Sequence, residues 1–147
     1  MTSASPRPAE VAGRFVQEVA QLCRGRPVRY NLSPFVPKPH TPLQWAGFAD
    51  IGETRAKIER VRARVTRRNA RAKWENPECS WVQALLARGD ERVGDVIEHV
   101  YRNGGIFQEW TEHFRYALWQ EACAARPSAG KRPRSWARPP RTFMGPG

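Results

Sequence analysis

Residues 28–36, "VRYNLSPFV", alternate like a strand and then run into Pro34, Pro37, Pro39 and Pro42. Period-2 alternation puts Val28, Tyr30 and Leu32 on one face, and Arg29, Asn31, Ser33 and Phe35 on the other. Pro34 brings no N–H, so a strand ladder must weaken there. Each proline also pushes the residue before it to extended backbone, which restricts Val36, Lys38 and Thr41. The chain therefore contains one short strand that ends in a stiff segment tipped by Lys38, His40 and Gln44. Such a strand is not stable alone in water. The rest of the periodicity is helical, so the expectation is a single strand whose partner lies outside this chain.

The flanking segments are read by their spacing. Val11, Phe15, Val19 and Leu22 make one apolar stripe from Pro8 onward, and Gly25 with Pro27 ends that helix. "ADIGETRAKIERVRARVTRRNA" reads as a helix with a narrow stripe, Ile58, Val61 and Val65. Asn76 and Pro77 open another helix, with Trp81, Val82, Leu85 and Leu86 as its apolar face and Gly89 as its stop. Asp90 caps the next, where Val93, Val96, Ile97, Val100 and Tyr101 recur at helical spacing, and Asn103-Gly104-Gly105 stops it. Thr111 is the expected cap of a last helix over 111–125 that buries Phe114, Ala117 and Leu118. Residues 1–7 and 126–147 read as disordered, the latter a basic tail rich in Pro and Arg.

Charge is unevenly placed. The net charge is +11, yet residues 55–73 hold nine Lys/Arg with one Glu, and 126–147 hold six with no acid. These two segments carry +14, which leaves −3 for the remainder. A basic helix over 55–73 follows, with cations all around it rather than on one face. That arrangement suits a solvated outer helix; a nucleic-acid helix concentrates charge toward phosphates. The second reading, a small basic RNA-binding module, rests on Arg60, Arg64, Arg67, Arg68 and Arg71.

No stretch of about 18 apolar residues is present, so no membrane-spanning helix is expected. "MTSASPRPAE" has no secretory h-region. The three cysteines, Cys23, Cys79 and Cys123, have no Cys-x-x-Cys spacing; reduced thiols in a cytoplasmic protein are the expectation. His99 and His113 lack partners at metal-ligand spacing. Glu109 and Glu112 beside His113 read as helix-start caps. Trp45, Trp74, Trp81, Trp110 and Trp119 read as packing anchors.

"LSPFVPKPHTPLQWA", and downstream "ARGDERVGDVIEHVYRNGGIFQEWTEHFRYALWQEA" at 87–122, resemble a group of radical S-adenosylmethionine proteins, many of which carry a cobalamin-binding domain. The likeness spans roughly residues 10–125. It implies a mostly helical α/β fragment: the last β/α portion of a partial (β/α) barrel over 8–72, then a helical C-terminal extension over 73–125. Residues 28–36 would be the last barrel strand, with Asn31, Ser33 and Phe35 facing the interior. Ser33, Phe35, Lys38 and His40 would line the active-site lip and bind cofactor, with Lys38 set toward a carboxylate. The family's Cys-x-x-x-Cys-x-x-Cys loop, which holds the 4Fe–4S cluster that cleaves S-adenosylmethionine, is absent from this sequence. The resemblance therefore implies an iron–sulfur oxidoreductase piece, inactive alone, without a cofactor of its own. Cluster, S-adenosylmethionine and cobalamin would belong to the full-length parent. Its partner would be the missing barrel half or a complementary chain, with self-association as the other way to cover the open side.

Overall fold

The structure is a computed structural model and describes residues 8–125. Among these residues the order is α1 (Pro8–Leu22), β1 (Val28–Leu32), α2 (Ile51–Arg64), β2 (Ala70–Trp74), α3 (Pro77–Arg88), α4 (Val93–Arg102) and α5 (Tyr116–Ala125). The protein is a mixed α/β chain, mostly helical. The expected disorder at 1–7 and 126–147 lies outside the described residues. Two compact units are present. Among the described residues one holds 8–34 together with Ala49–Pro77; the other holds Phe35–Phe48 and 78–125.

The first unit corrects the expectation of a lone strand. β1 pairs in parallel with β2, in the register Val28–Ala70, Arg29–Arg71, Tyr30–Ala72, Asn31–Lys73 and Leu32–Trp74. β1 stops at Leu32, short of Pro34, and it is not the last strand of the described chain. β2 escaped notice because "ARAKW" buries only small residues. Ala70 and Ala72 give no strong alternation, and Arg and Lys are good helix formers. The basic helix expected over 55–73 is therefore three pieces: helix to Arg64, a turn, and a strand.

Tertiary contacts set where α2 ends. Val65 leaves the helix with φ −89° and ψ 96°. The carboxamide of Gln17 on α1 then takes the next residue: Gln17 Oε1 accepts from Thr66 N (3.0 Å) and Gln17 Nε2 donates to Thr66 Oγ1 (3.1 Å). At its start α2 has a conventional cap, with Asp50 Oδ1 accepting from Glu53 N. Thr54, Ile58 and Val61 are its buried residues.

Helix α1 turns an unexpected face inward. Ala9, Gly13 and Ala20 are buried, while Val11, Phe15 and Leu22 are 48%, 66% and 78% exposed. The cause is close packing against α2. A Cβ on Gly13 would sit 2.7 Å from Arg64 Cβ and 3.4 Å from Val61 O. Only small residues permit that approach, so the large apolar stripe is left outside.

The second unit is built on Val82, Leu85, Val93, Val96, Val100, Leu118, Trp119 and Ala122. α3 opens at Pro77 and ends before Gly89, as the spacing predicts. Asp90 is not the cap of α4: Arg92 holds the cap position without a side-chain cap bond, and Asp90 Oδ1 instead accepts from Arg92 N at 3.1 Å in the turn before the helix. The stop at 103–105 is made by Gly104, at φ 75°, and by Gly105 N donating to Val100 O at 2.8 Å. Ile97 and Tyr101 of the expected stripe are exposed. α5 starts at Tyr116 rather than Thr111, because residues 106–115 form a separate hydrogen-bonded loop around Gln108. Ala117 is exposed and Phe114 is half-buried. Of the expected tryptophan anchors, Trp119 is buried and Trp81 is half-buried, edge-on to Tyr116 at 5.5 Å. Trp45, Trp74 and Trp110 are each more than two-fifths exposed.

Candidate functional site

The carboxyl ends of the strands come first, because parallel sheets place their functional groups there. Val28, Tyr30 and Leu32 are half-buried, whereas Arg29, Asn31 and Ser33 are exposed. β2 follows the same rule, with Ala70 and Ala72 inward and Arg71 and Lys73 outward. The inward side carries Tyr30, whose hydroxyl is held above the ordinary tyrosine range by burial, with the nearby Arg62 charge opposing. Arg62 also lies over the Trp74 ring, 4.3 Å from its centroid. The sheet thus has one face on helices and one polar face open.

At the strand ends, Asn31 Nδ2 donates to Ser33 Oγ (3.0 Å), and Ser33 Oγ donates to Glu75 Oε1 (3.2 Å). Glu75 N donates to Leu32 O at 3.1 Å, which carries the pairing one residue past β2. Ser33, expected at the lip, is therefore tied to a carboxylate that sequence reading did not select. The signal for Glu75 was its place directly after "ARAKW", invisible until that run is known to be a strand.

Phe35, Lys38 and His40 belong to the second unit. Phe35 is 52% exposed. Pro37 is buried and anchors the segment. Between them the prolines make a tight turn. Thr41 Oγ1 donates to Lys38 O (2.8 Å), Gln44 N to Thr41 O (3.0 Å), and Ala46 N to Leu43 O (3.0 Å). His40 has φ 60°, the left-handed region, and its N–H donates to Gln44 Oε1 at 3.3 Å. That conformation costs a non-glycine residue about 1–2 kcal/mol, so the local hydrogen bonds hold it there. Arg88 Nη1 reaches from the end of α3 to Ala46 O at 2.7 Å and fixes the far end of the segment. Lys38 and His40 are exposed on this turn. The arrangement offers a cation and an imidazole, both exposed, on a backbone of little freedom.

The basic candidates are split. Arg60 and Arg64 lie on α2, Arg67 and Arg68 on the turn that follows, and Arg71 on β2. Arg67 and Arg68 are exposed, and with Arg24 and Arg26 they occupy the amino end of the sheet. Sequence reading missed Arg24, Arg26 and Arg29 as members of this group because they are some 40 residues away along the chain.

Metal chemistry finds no donor set: among the described residues no group of three His, Cys, Asp or Glu side chains can hold an ion. Cys23 follows α1, Cys79 is in α3 and Cys123 in α5, each a half-buried free thiol. His99 lies on α4, its carbonyl accepting from Asn103. His113 is in an aromatic group, with ring centroids 5.9 Å from Phe107 and 6.0 Å from Trp110. No helix of the described residues is long and apolar enough to cross a membrane. Comparison with protein-family models, curated proteins and solved structures returned no match to this chain.

Proposed function

We propose that the chain is a carboxy-terminal part of a radical S-adenosylmethionine iron–sulfur oxidoreductase, supplying strands and an active-site lip to a barrel completed by another polypeptide segment. One observation supports this above the others: a parallel sheet of two strands, helix-covered on one face and open on the second. Parallel sheets are otherwise buried on both faces and wider. The outer edges of β1 and β2 have no strand partner among the described residues. The exposed Val11, Phe15 and Leu22 add an apolar surface of the kind a neighbouring barrel helix covers. In this reading β1–α2–β2 is a section of the barrel wall, with Ser33 and Glu75 at its carboxyl end. Phe35, Lys38 and His40 form the lip; Lys38 pairs with a carboxylate of the bound cofactor, and Phe35 packs on its base. The cluster, S-adenosylmethionine and any cobalamin are held by the completing segment, so no chemical step is assigned to this chain alone.

The test is to read the DNA immediately upstream and co-express its product with this chain. An encoded Cys-x-x-x-Cys-x-x-Cys loop and a co-purifying pair that binds S-adenosylmethionine are expected. Lys38→Ala in that pair should weaken binding about 10-fold or more, as for loss of a charged hydrogen bond. An upstream frame without such a loop, together with a monodisperse monomer when the chain is made alone, would refute the proposal.

A further inference from the structure

The amino end of the sheet lies opposite the strand ends that carry Ser33 and Glu75, about 13 Å away along a five-residue strand. Two turns meet there. Asn69 locks them together: its Nδ2 donates to Ala20 O and Arg26 O, both at 2.9 Å, and its own carbonyl accepts from Val28 N at 2.8 Å. One turn carries Arg24 and Arg26, the other Arg67 and Arg68. The first is held in an uncommon backbone, with Arg24 at φ 45° and Gly25 at φ 85°. Just inside, the parallel register sets Arg29 beside Arg71 on the open face, with Lys73 one step further on.

All seven cations are exposed, and neither 23–34 nor 60–74 contains an Asp or Glu. The nearest acid along the open face is Glu75, at the other end. Like charges directly opposite on a sheet destabilise it, and here nothing in the two segments neutralises them. A surface of this kind is complementary to closely spaced negative charge. Two pinned turns beside a short open sheet face suit a chain of phosphates laid across them better than one small anion in a pocket.

We propose that this end of the first unit binds the sugar–phosphate backbone of a nucleic acid, through Arg24, Arg26, Arg67 and Arg68 with Arg29 and Arg71 behind them. The site shares no residue with the lip and stands whether or not a barrel forms. It differs from a basic-helix reading in its members: Arg60 and Arg64 on α2 are not part of it. Because phosphates alone are read, a DNA strand binds within a few-fold of an RNA strand of the same length.

The experiment uses the full chain and a fluorescein-labelled single-stranded RNA 20-mer, read by anisotropy from 50 to 200 mM KCl. With about five phosphates neutralised, affinity falls roughly 100-fold over that range. The double variant Arg67→Gln/Arg68→Gln should reduce the salt slope by about 1.4, or about 0.7 per arginine on a single strand. The control Arg14→Gln/Arg102→Gln, two exposed arginines elsewhere, should reduce it by less than 0.5. Circular dichroism checks that both variants are folded. Equal losses in the two variants would overturn the proposal, since binding would follow net charge and not this surface. So would polyglutamate competing as well as unlabelled RNA at matched charge, which would make the surface a dock for an acidic protein. Tight binding that is indifferent to salt would overturn it as well.

Discussion

Gln108 holds the loop between α4 and α5, and removing its carboxamide tests whether that loop is a cooperative part of the second unit. Its Oε1 accepts from Arg115 N (3.1 Å) and from the indole Trp119 Nε1 (3.2 Å). Its Nε2 donates to His113 O (2.7 Å) and Ile106 O (3.3 Å). Three of these partners are on exposed residues that water can reach. Trp119 is different, being 5% exposed. Gln108→Ala leaves its N–H unpaired in the core, a cost of about 1–3 kcal/mol, and the remaining bonds add a fraction each. A total of about 2–3 kcal/mol lowers Tm by roughly 10–20 °C in a unit of this size. Thermal melts followed by tryptophan fluorescence and near-ultraviolet circular dichroism measure it. Gln108→Glu sharpens the test. The introduced carboxylate still accepts from Trp119 but faces the His113 carbonyl with no proton to give. Its folded-state pKa must therefore rise above the unfolded value of about 4.3. Below the unfolded pKa the protonated acid donates as the amide did and stability is recovered; it is lost as pH rises through the raised folded value. The deficit against the native protein at the same pH should be largest at pH 8 and smallest near pH 4. A Gln108→Ala melt within 3 °C of native, or a Gln108→Glu deficit that does not change with pH, would refute the reasoning.

Other outcomes follow from the same geometry. Gly105→Ala places a Cβ 2.4 Å from Val100 Cγ1, 2.7 Å from Val100 O and 2.9 Å from Leu118 Cδ2, and the backbone oxygen cannot give; a loss of about 2–3 kcal/mol is expected in urea melts. Gly13→Ala meets Arg64 Cβ at 2.7 Å, so α1 should loosen from α2, read as faster amide exchange across both helices. The Cys123 thiol is pushed up by burial; at pH 8 iodoacetamide should label it more slowly than free cysteine, with the rate still climbing where that of free cysteine has levelled off. Arg62→Ala removes the guanidinium over Trp74 and should shift that tryptophan's emission, at a cost near 0.5–1 kcal/mol; unchanged emission would remove the contact from the account.

The local signals were strong where one residue type satisfies one local need. Pro77 at the start of α3, Gly89 at its end and Gly104 at φ 75° after α4 are such places, and each was legible in the chain. So was β1 from its alternation, though it ends at Leu32 and not at the expected residue 36. The prolines did not announce the turn at Lys38–Gln44, where His40 takes φ 60°. What stayed hidden was decided by contacts between distant residues. An arginine-rich run has no local reason to stop being helix at Arg64; Gln17 supplies it from 49 residues away. Ala70 and Ala72 are not strand residues by propensity, and become so because β1 offers a ladder and α1 needs close approach. Phe15 and Leu22 look like core by hydrophobicity, but Gly13 sets how near α1 can come and so which face goes in. The sequence alone thus determined the punctuation of the helices, the first strand and the concentration of positive charge. The tertiary structure decided the second strand, the inward face of α1, the tie between Ser33 and Glu75, and the meeting of two arginine turns at one end of the sheet. The physical reason is the same in each case: these features depend on pairings whose free energy exists only once both partners are in place.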